Sequence, residues 1–149
     1  MKPRFKQAYM DVARRFAELS HARRLHVGAI VVKDDRIISI GYNGMPSGWD
    51  NNCEDEIGHV LDNDGNIVET RLKTKPEVLH AEANAIAKVA RSSESAENSV
   101  LFVTHAPCIE CAKLIYQSGV SKVYFKHQYR DQSGLTFLNK ASIITEQLD

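Results

Sequence analysis

The second half of the chain alternates short apolar segments with a helical one, and this alternation restricts the fold more than any other feature. Residues 99–104 and 122–126 have the apolar, β-branched character of buried strands, and a helical segment at about residues 108–118 lies between them. A strand, a helix and a second strand in this order nearly always form a parallel, right-handed unit. The pattern therefore predicts a fold of the α/β class.

The first half of the chain adds a helix and a hairpin to this frame. Apolar residues recur at three- and four-residue steps over residues 5–19, which predicts one amphipathic helix. Segments 27–32 and 36–40 flank Asp34-Asp35 and predict a β-hairpin. Two further helices and a last strand are expected at about residues 79–91, 134–141 and 142–145, respectively. The resulting order, α-β-β-α-β-α-β-α-β, predicts a mixed sheet of about five strands covered by helices.

The segment between the predicted hairpin and the second helix is polar and acidic at its start. It contains Asp-Asn-Asp-Gly at residues 62–65, a strong turn signal. A calcium-binding loop is excluded here, because the glycine comes too early and no glutamate follows at the position that such a loop needs. We expect residues 49–76 to form a small excursion on the surface.

Length, charge and hydropathy limit the class of protein. The 149 residues are the size of one ordinary domain, so residues 1–149 are expected to form a single domain. The 19 basic and 19 acidic residues give zero formal net charge, whereas proteins that bind long nucleic acids usually carry a basic excess. No apolar run is long enough to span a bilayer, and the first residues lack the apolar stretch of a secretion signal. The cytoplasm is therefore the expected compartment, and a small anionic ligand stays possible.

Two short motifs contain the residue types from which zinc sites are built. They are His-Ala-Glu at residues 80–82 and Pro-Cys-Ile-Glu-Cys at residues 107–111. One imidazole and two thiolates hold zinc and leave a fourth tetrahedral position for water, which is the arrangement of a catalytic site. The two cysteines share a face at the start of a helix, whose positive end favours thiolates. We predict that zinc binds to His80, Cys108 and Cys111.

Glu82 has a different predicted role from the three ligands. Residues two apart do not share a helix face, so His80 and Glu82 reach the same site only if both lie in the first turn. Two thiolates nearly cancel the charge of zinc, and the bound water is then less acidified than in an all-histidine site. A neighbouring base must therefore take its proton. We predict that Glu82 is this proton shuttle and is not a ligand.

Other interpretations of the cysteine pair stay open. Cys-x-x-Cys by itself is also typical of structural zinc sites and of redox pairs. A structural site usually has four protein ligands, and Cys53 is the only other cysteine of the chain. A redox pair does not need the upstream His-x-Glu. A non-catalytic zinc-binding module for binding or assembly is the alternative to an enzyme, and the presence of Glu82 argues against it.

Together the two motifs match the signature of zinc-dependent deaminases, and the chain resembles the cytidine deaminase superfamily, within it the deoxycytidylate deaminases. The matching segments are residues 41–46 (Gly-Tyr-Asn-Gly-Met-Pro), 80–86, 104–113 and 117–119. The resemblance implies a three-layer α/β/α fold and hydrolysis of deoxycytidylate (dCMP) to dUMP and ammonia, which would supply dUMP for thymidylate synthesis. The alternative is another deaminase of the superfamily, acting on free cytosine, tRNA adenosine or a riboflavin precursor.

The resemblance also implies roles for further residues and molecules. Asn43 should hold the sugar or phosphate end of the nucleotide, and Arg91 matches a position near subunit and effector contacts. The residues expected around the substrate are Asn43, Gly44, Ala81, Pro107 and Tyr129. Family members usually form a homohexamer, and many are activated by dCTP with Mg²⁺ and inhibited by dTTP.

Three residues have no role in this interpretation. His105 is unusual at its place just before the Pro-Cys pair. Cys53 and His59 lie where some members hold a second, structural zinc, but the partner cysteines are missing, so a second zinc is not expected. We expect Cys53 to be a free thiol.

Overall fold

The computed structural model describes all 149 residues and contains four helices and seven strands. The helices are α1 (Pro3–Ala17), α2 (Ala81–Ala90), α3 (Ile109–Gln117) and α4 (Ser133–Lys140). The strands are β1 (Gly28–Lys33), β2 (Arg36–Tyr42), β3 (Glu54–Leu61), β4 (Ile67–Thr74), β5 (Val100–His105), β6 (Lys122–His127) and β7 (Ile144–Gln147). None of the helices has the length and hydrophobicity needed to cross a membrane.

Five of the strands form one mixed sheet in the order β2-β1-β5-β6-β7. β1 is antiparallel to β2 and β5, whereas β6 is parallel to β5 and β7. The predicted parallel arrangement in the second half is therefore confirmed. The turn between β1 and β2 is made by Asp34 and Asp35, both with positive φ angles, as the tight turn of a hairpin requires.

Helices cover both faces of this sheet, as expected for the three-layer α/β/α fold. On one face, Met10 and Ala13 of α1 pack on Ile30, Phe102 and Tyr124 of the sheet. On the other face, buried residues of α2, α3 and α4 pack on β1, β5 and β6. The apolar character of β1, β5 and β6 follows from this, because their side chains are buried on both faces.

A close contact between β2 and α2 fixes where the second helix begins. A Cβ atom at Gly41 would lie 2.3 Å from the carbonyl oxygen of Ala81 and 2.7 Å from the backbone nitrogen of Ala85. Only glycine fits this approach of strand and helix. The hydroxyl of Ser39 in the same strand donates to the carbonyl of Ala85 at 2.6 Å. The first turn of α2 is thus held directly against the sheet.

β3 and β4 form a separate two-stranded sheet, the β3–β4 hairpin. The sequence predicted a surface excursion in this segment and missed both strands. The alternation of apolar and polar residues that signals a strand is absent, because apolar residues of the hairpin are exposed and the pairing contains two irregularities, between residues 56 and 58 and between residues 60 and 61. The turn predicted at residues 62–65 does connect the two strands.

Candidate active site

The three predicted zinc ligands meet where two helices begin. His80 is the N-cap residue of α2, Cys108 is the N-cap residue of α3, and Cys111 lies in the first turn of α3. β5 ends at His105, so the short segment after it leads directly into Cys108. Convergence of two helix N-termini brings their partial positive charges together, which favours the anionic forms of the thiols.

The geometry of these three side chains suits tetrahedral zinc. The Nδ1 atom of His80 lies 3.3 Å from the Sγ atom of Cys111 and 3.6 Å from that of Cys108. All three ligand atoms lie within 4.8 Å of one another. A tetrahedral zinc ion with usual bond lengths keeps its nitrogen and sulfur ligands about 3.5–3.8 Å apart. No other group of three or more His, Cys, Asp and Glu side chains in the chain is arranged to hold a metal.

The charge state of the two thiols also fits a cation. Hydrogen bonding from Cys111, with a further contribution from His80, lowers the pKa of Cys108 to about 4. The same contact raises the pKa of Cys111. Cys108 therefore favours the thiolate form that a cation binds, and Cys111 would have to lose its proton when a divalent cation binds.

Glu82 lies in the first turn of α2 with its carboxyl group buried in the site. Its residue is only 4% exposed, and it lines the same cavity as His80 and Cys108. Burial raises the pKa of this carboxyl, since the charged form loses its hydration. A carboxyl group with a raised pKa exchanges protons closer to neutral pH than an exposed one does. The structure therefore meets the requirement that His80 and Glu82 both lie at the start of the helix.

The cavity has a volume of about 560 Å³, and His80 and Cys108 of the metal-binding group line it, whereas Cys111 lies behind them. Of the residues expected around the substrate, Asn43, Ala81 and Tyr129 line it, whereas Gly44 and Pro107 do not. The backbone of Gly44 is paired with that of Leu79, at 3.1 Å and 2.8 Å. The contacts predicted for Gly44 and Pro107 stay predictions that the cavity lining does not support.

Asn43 is held by backbone groups beside the cavity. Its side-chain oxygen accepts the N–H of Val27 at 2.9 Å, and its side-chain nitrogen donates to the carbonyl of Leu25 at 2.8 Å. Leu25 and Val27 also line the cavity. The amide of Asn43 thus shapes the wall, and it retains one N–H and one lone pair for a ligand.

Arg91 lies away from the cavity. It is the C-cap residue at the opposite end of α2 from His80, which places it about 15 Å along the helix. Its predicted role near subunit and effector contacts stays a prediction.

Glu54 at the start of β3 is a site residue that the sequence did not indicate. It is 1% exposed, and its carboxylate accepts the backbone N–H groups of Arg23 and Arg24, each at 2.8 Å. Arg24 also donates to the hydroxyl of Thr74 in β4 at 3.1 Å. Glu54, Arg24 and Thr74 all line the cavity, as does Cys53, which is a buried free thiol. The base of the hairpin therefore forms one wall of the site.

His105 also lines the cavity, and its protonation state can be assigned. The hydroxyl of buried Thr104 accepts the N–H of Gly28 at 3.1 Å and lies 3.0 Å from Nδ1 of His105. Since the buried hydroxyl hydrogen needs an acceptor, Nδ1 accepts it and the ring proton lies on Nε2. Burial and the neighbouring ring of His127, 4.9 Å away, lower the pKa of His105 to about 4. His105 is thus a neutral cavity residue at physiological pH, with Nε2–H free to donate.

Comparison with known proteins agrees with this geometry. The model of the cytidine and deoxycytidylate deaminase zinc-binding region matches residues 3–127. The chain belongs to this family. The deoxycytidylate deaminase of the cyanophage S-TIM5, crystallised with dCMP and dUMP, is 44% identical, with a TM-score of 0.86 and 99% of both chains covered.

Two curated relatives extend the comparison to cellular organisms. Human deoxycytidylate deaminase is 37% identical over 131 residues, which cover 86% of this chain and 68% of the human one. ComE operon protein 2 of Bacillus subtilis is 32% identical over 144 residues, which cover 96% of this chain and 70% of that protein. The chain is therefore a zinc-binding hydrolytic deaminase of this family, with the mixed five-stranded sheet of the fold that the sequence predicted.

Proposed function

We propose that this deaminase hydrolyses dCMP to dUMP and ammonia, and that the dUMP feeds thymidylate synthesis. The observation that carries the proposal is that a single cavity combines the zinc-binding group, the buried carboxyl of Glu82 and the side chains of Arg24 and Arg130. These groups correspond to the parts of a nucleotide deamination: an activated water, a proton carrier and an anchor for a phosphate. The similar cyanophage enzyme, which binds dCMP and dUMP, supports the choice of substrate.

In this proposal, His80, Cys108 and Cys111 hold the zinc ion. When bound, zinc supplies a water molecule of lowered pKa at its fourth position. Glu82 takes one proton of the water as its oxygen adds to C4 of the cytosine ring, and it delivers this proton to N3. It then takes the second proton, from the hydroxyl now on C4, and delivers it to the amino group, which leaves as ammonia while the C4 carbonyl forms. The raised pKa of Glu82 suits this exchange, because the carboxyl must be able both to accept and to release a proton.

Arg24 and Arg130 are the groups that we assign to the 5′-phosphate of the substrate. Both line the cavity, and their guanidinium groups are suited to bidentate binding of phosphate. The backbone of Arg24 is fixed by Glu54 and its side chain by Thr74. His105, which is neutral, is suited to an uncharged acceptor on the sugar or the base. This division between charged and neutral donors favours a nucleotide over a free base.

Regulation and assembly are proposed from the family resemblance. We propose a homohexamer that dCTP with Mg²⁺ activates and dTTP inhibits, with Arg91 near the effector. Its place at the far end of α2 from His80 is compatible with a site separate from the cavity.

A substrate panel tests the proposed activity. Zinc-loaded enzyme is assayed for ammonia release from dCMP, CMP, deoxycytidine, dCTP and cytosine, each alone and with dCTP–Mg²⁺ or dTTP added. We expect kcat/KM to be highest for dCMP, by about tenfold or more over deoxycytidine, which lacks the phosphate. Equal or faster turnover of cytosine or deoxycytidine would contradict the assignment of the substrate. If neither dCTP–Mg²⁺ nor dTTP changes the turnover of dCMP, the proposed regulation is wrong, whereas the assignment of the substrate is unaffected.

A further inference from the structure

The β3–β4 hairpin is the part of the molecule that its own chain leaves uncovered. β3 and β4 pack on each other, whereas no helix and no other strand forms a packed contact with them. Four of its apolar side chains are 56–62% exposed, namely Ile57, Leu61, Ile67 and Val68. An isolated two-stranded hairpin is marginally stable in water, and it has two edges at which further strands can pair.

The two edges of the hairpin differ. On β3, Glu54 accepts the N–H groups of Arg23 and Arg24, and Glu56 pairs with Arg23, so the start of this strand is bound to the loop before β1. Each strand contains one extra residue in the pairing, Ile57 on β3 and Val68 on β4, and such bulges interrupt an edge. No backbone group of residues 69–73 is bonded to anything beyond the pairing with β3. This stretch of β4 is the longest part of either edge without an extra residue, and it is the one open to another strand.

The charges on β4 are also unpaired. Elsewhere in and around the hairpin, Lys75 pairs with Asp55 at 2.8 Å and Arg23 with Glu56 at 3.2 Å. Glu69 and Arg71 take part in none of the ion pairs of the chain. They lie on the same face of β4, on either side of Thr70. Glu69 and Arg71 are thus placed symmetrically about Thr70, and the third charge of the strand, Lys73, lies beyond them.

We propose that β4 pairs antiparallel with β4 of a second copy of this chain, about a two-fold axis at Thr70. Glu69 then lies opposite the partner's Arg71, and Arg71 lies opposite the partner's Glu69. Each two-fold contact of this kind joins a surface to itself, as a closed dimer interface requires.

Neighbouring registers are less favourable, and this makes the pairing specific. Moving the axis to Glu69 or to Arg71 places two like charges directly opposite each other, which destabilises a strand pair. An axis between two residues is excluded, because directly opposite residues in a strand pair have their side chains on the same face, whereas neighbouring residues of one strand have them on opposite faces. Only the axis at Thr70 satisfies both charges.

The contact also relates the hairpin to the partner's cavity. In the antiparallel register, the tip of one hairpin lies toward the base of the partner's hairpin. Thr74, the next residue along β4, lines the cavity of its own chain. The proposal is independent of the substrate, because it depends on the edge, the exposed residues and the charges alone.

Disulfide trapping tests the axis. Residues directly opposite in an antiparallel pair have Cα atoms about 4.5–5.5 Å apart, within the range that a disulfide bridges. Thr70→Cys is therefore expected to form a covalent dimer on mild oxidation of the zinc-loaded protein, seen by intact mass. His59→Cys is the matched control, because His59 lies opposite Thr70 on β3 and is more exposed. A Thr70→Cys protein that stays uncrosslinked, or a His59→Cys protein that crosslinks equally, overturns the proposal.

A charge exchange tests the register by sedimentation over a range of protein concentrations. Glu69→Arg and Arg71→Glu should each raise the concentration of half-association about tenfold or more, since each places like charges opposite at both symmetric pairs. The double variant, with both Glu69→Arg and Arg71→Glu, should restore the parent's concentration of half-association. Arg36→Glu and Glu94→Arg make the same charge changes at an exposed ion pair elsewhere and should leave association unchanged. Single variants that associate like the parent, or a double variant that does not recover, contradict the pairing.

Discussion

The two strands of the β3–β4 hairpin are longer than any strand of the five-stranded sheet, but the two regions have opposite environments. Side chains of the sheet such as Val31, Leu101 and Val103 are completely buried between the helix layers, whereas apolar side chains of the hairpin face outward. The predicted zinc ligands and Glu82 are placed by the sheet and its helices, and the hairpin contributes only its base to the cavity. Chemistry that needs fixed distances is therefore built on the self-sufficient region, whereas the uncovered region contributes one wall of the cavity and, in our proposal, a surface for association.

The largest expected effect follows from the placement of Glu82 on the sheet-supported helix. Glu82→Gln keeps the shape of the buried side chain and removes its ability to carry a proton. We expect kcat for the preferred substrate to fall about 10²–10⁴-fold, while zinc content by mass spectrometry stays at one per chain. Unchanged turnover with zinc retained would show that the rigid region does not supply the proton carrier.

A pair of glycine substitutions compares the packing of the two regions directly. At Gly41, a new methyl group meets the backbone of Ala81 and Ala85, so Gly41→Ala should lower the free energy of unfolding by about 2–3 kcal/mol. At Gly58 in β3, no atom lies within 4 Å of the added Cβ. Gly58→Ala should leave stability unchanged within about 0.5 kcal/mol. Urea unfolding measures the free energy of unfolding of both variants. Equal losses of stability would show that the hairpin is packed as tightly as the contact between β2 and α2.

Glu54 tests how firmly the base of the hairpin is attached to the rest of the site. Glu54→Ala leaves the N–H groups of Arg23 and Arg24 without their acceptor and should cost about 2 kcal/mol. It should also raise KM for dCMP, because Arg24 is no longer held. Glu54→Gln, which retains one acceptor oxygen, should show a smaller effect on both. Alanine and glutamine variants with identical KM and stability would mean that the loop is held by other contacts.

The smallest expected effect is a pH-dependent change in stability at Glu146, on the edge strand β7 of the sheet. Hydrogen bonds from Lys6 at 2.8 Å and from Lys122 at 3.2 Å lower the pKa of Glu146 from its usual 4.5. A carboxyl group whose folded-state pKa is lowered stabilises the fold above its unfolded pKa, and this stabilisation is lost as the pH falls through the folded value. Glu146→Gln should therefore cost less than about 1 kcal/mol at pH 7. The difference should shrink as the pH falls below 4.5 and vanish only below the lowered folded-state pKa.

Asp55→Asn is the matching change in the hairpin, where Asp55 pairs with Lys75 at 2.8 Å. Because no helix and no other strand packs on the hairpin, we expect the part beyond its base to open without unfolding the sheet. This variant should then leave the global unfolding free energy unchanged at any pH. A cost equal to that of Glu146→Gln would indicate that hairpin and sheet unfold together.

The residues that the sequence predicted correctly and those that it missed lie in different kinds of segment. His80, Glu82, Cys108 and Cys111 occur in two short motifs at helix starts, where residue type and local spacing carry the information. Glu54 belongs to a polar segment with no periodicity, and its role depends on Arg23 and Arg24, thirty or so positions earlier in the chain. No local pattern marks such a contact.

His105 illustrates the same division within one strand. The sequence predicted strand β5 and marked His105 as unusual, but its neutral state depends on Thr104, Gly28 and His127, which only the sheet brings together. The strands β3 and β4 were missed for a related reason. Period-two alternation reports burial on one face, and the hairpin has no face buried by its own chain.

By itself, the sequence determined the order of the sheet and helix elements, the three donors suited to zinc and the carboxyl two residues from the first of them. These follow from helix capping, hydrophobic periodicity and ligand chemistry, which act over a few residues. The tertiary structure decided that the starts of α2 and α3 meet, that the base of the hairpin closes the cavity and that the edge of β4 stays free. Those outcomes depend on contacts between distant segments, such as Gly41 against Ala81 and Glu54 against Arg24, and such contacts are set by packing and not by local preference.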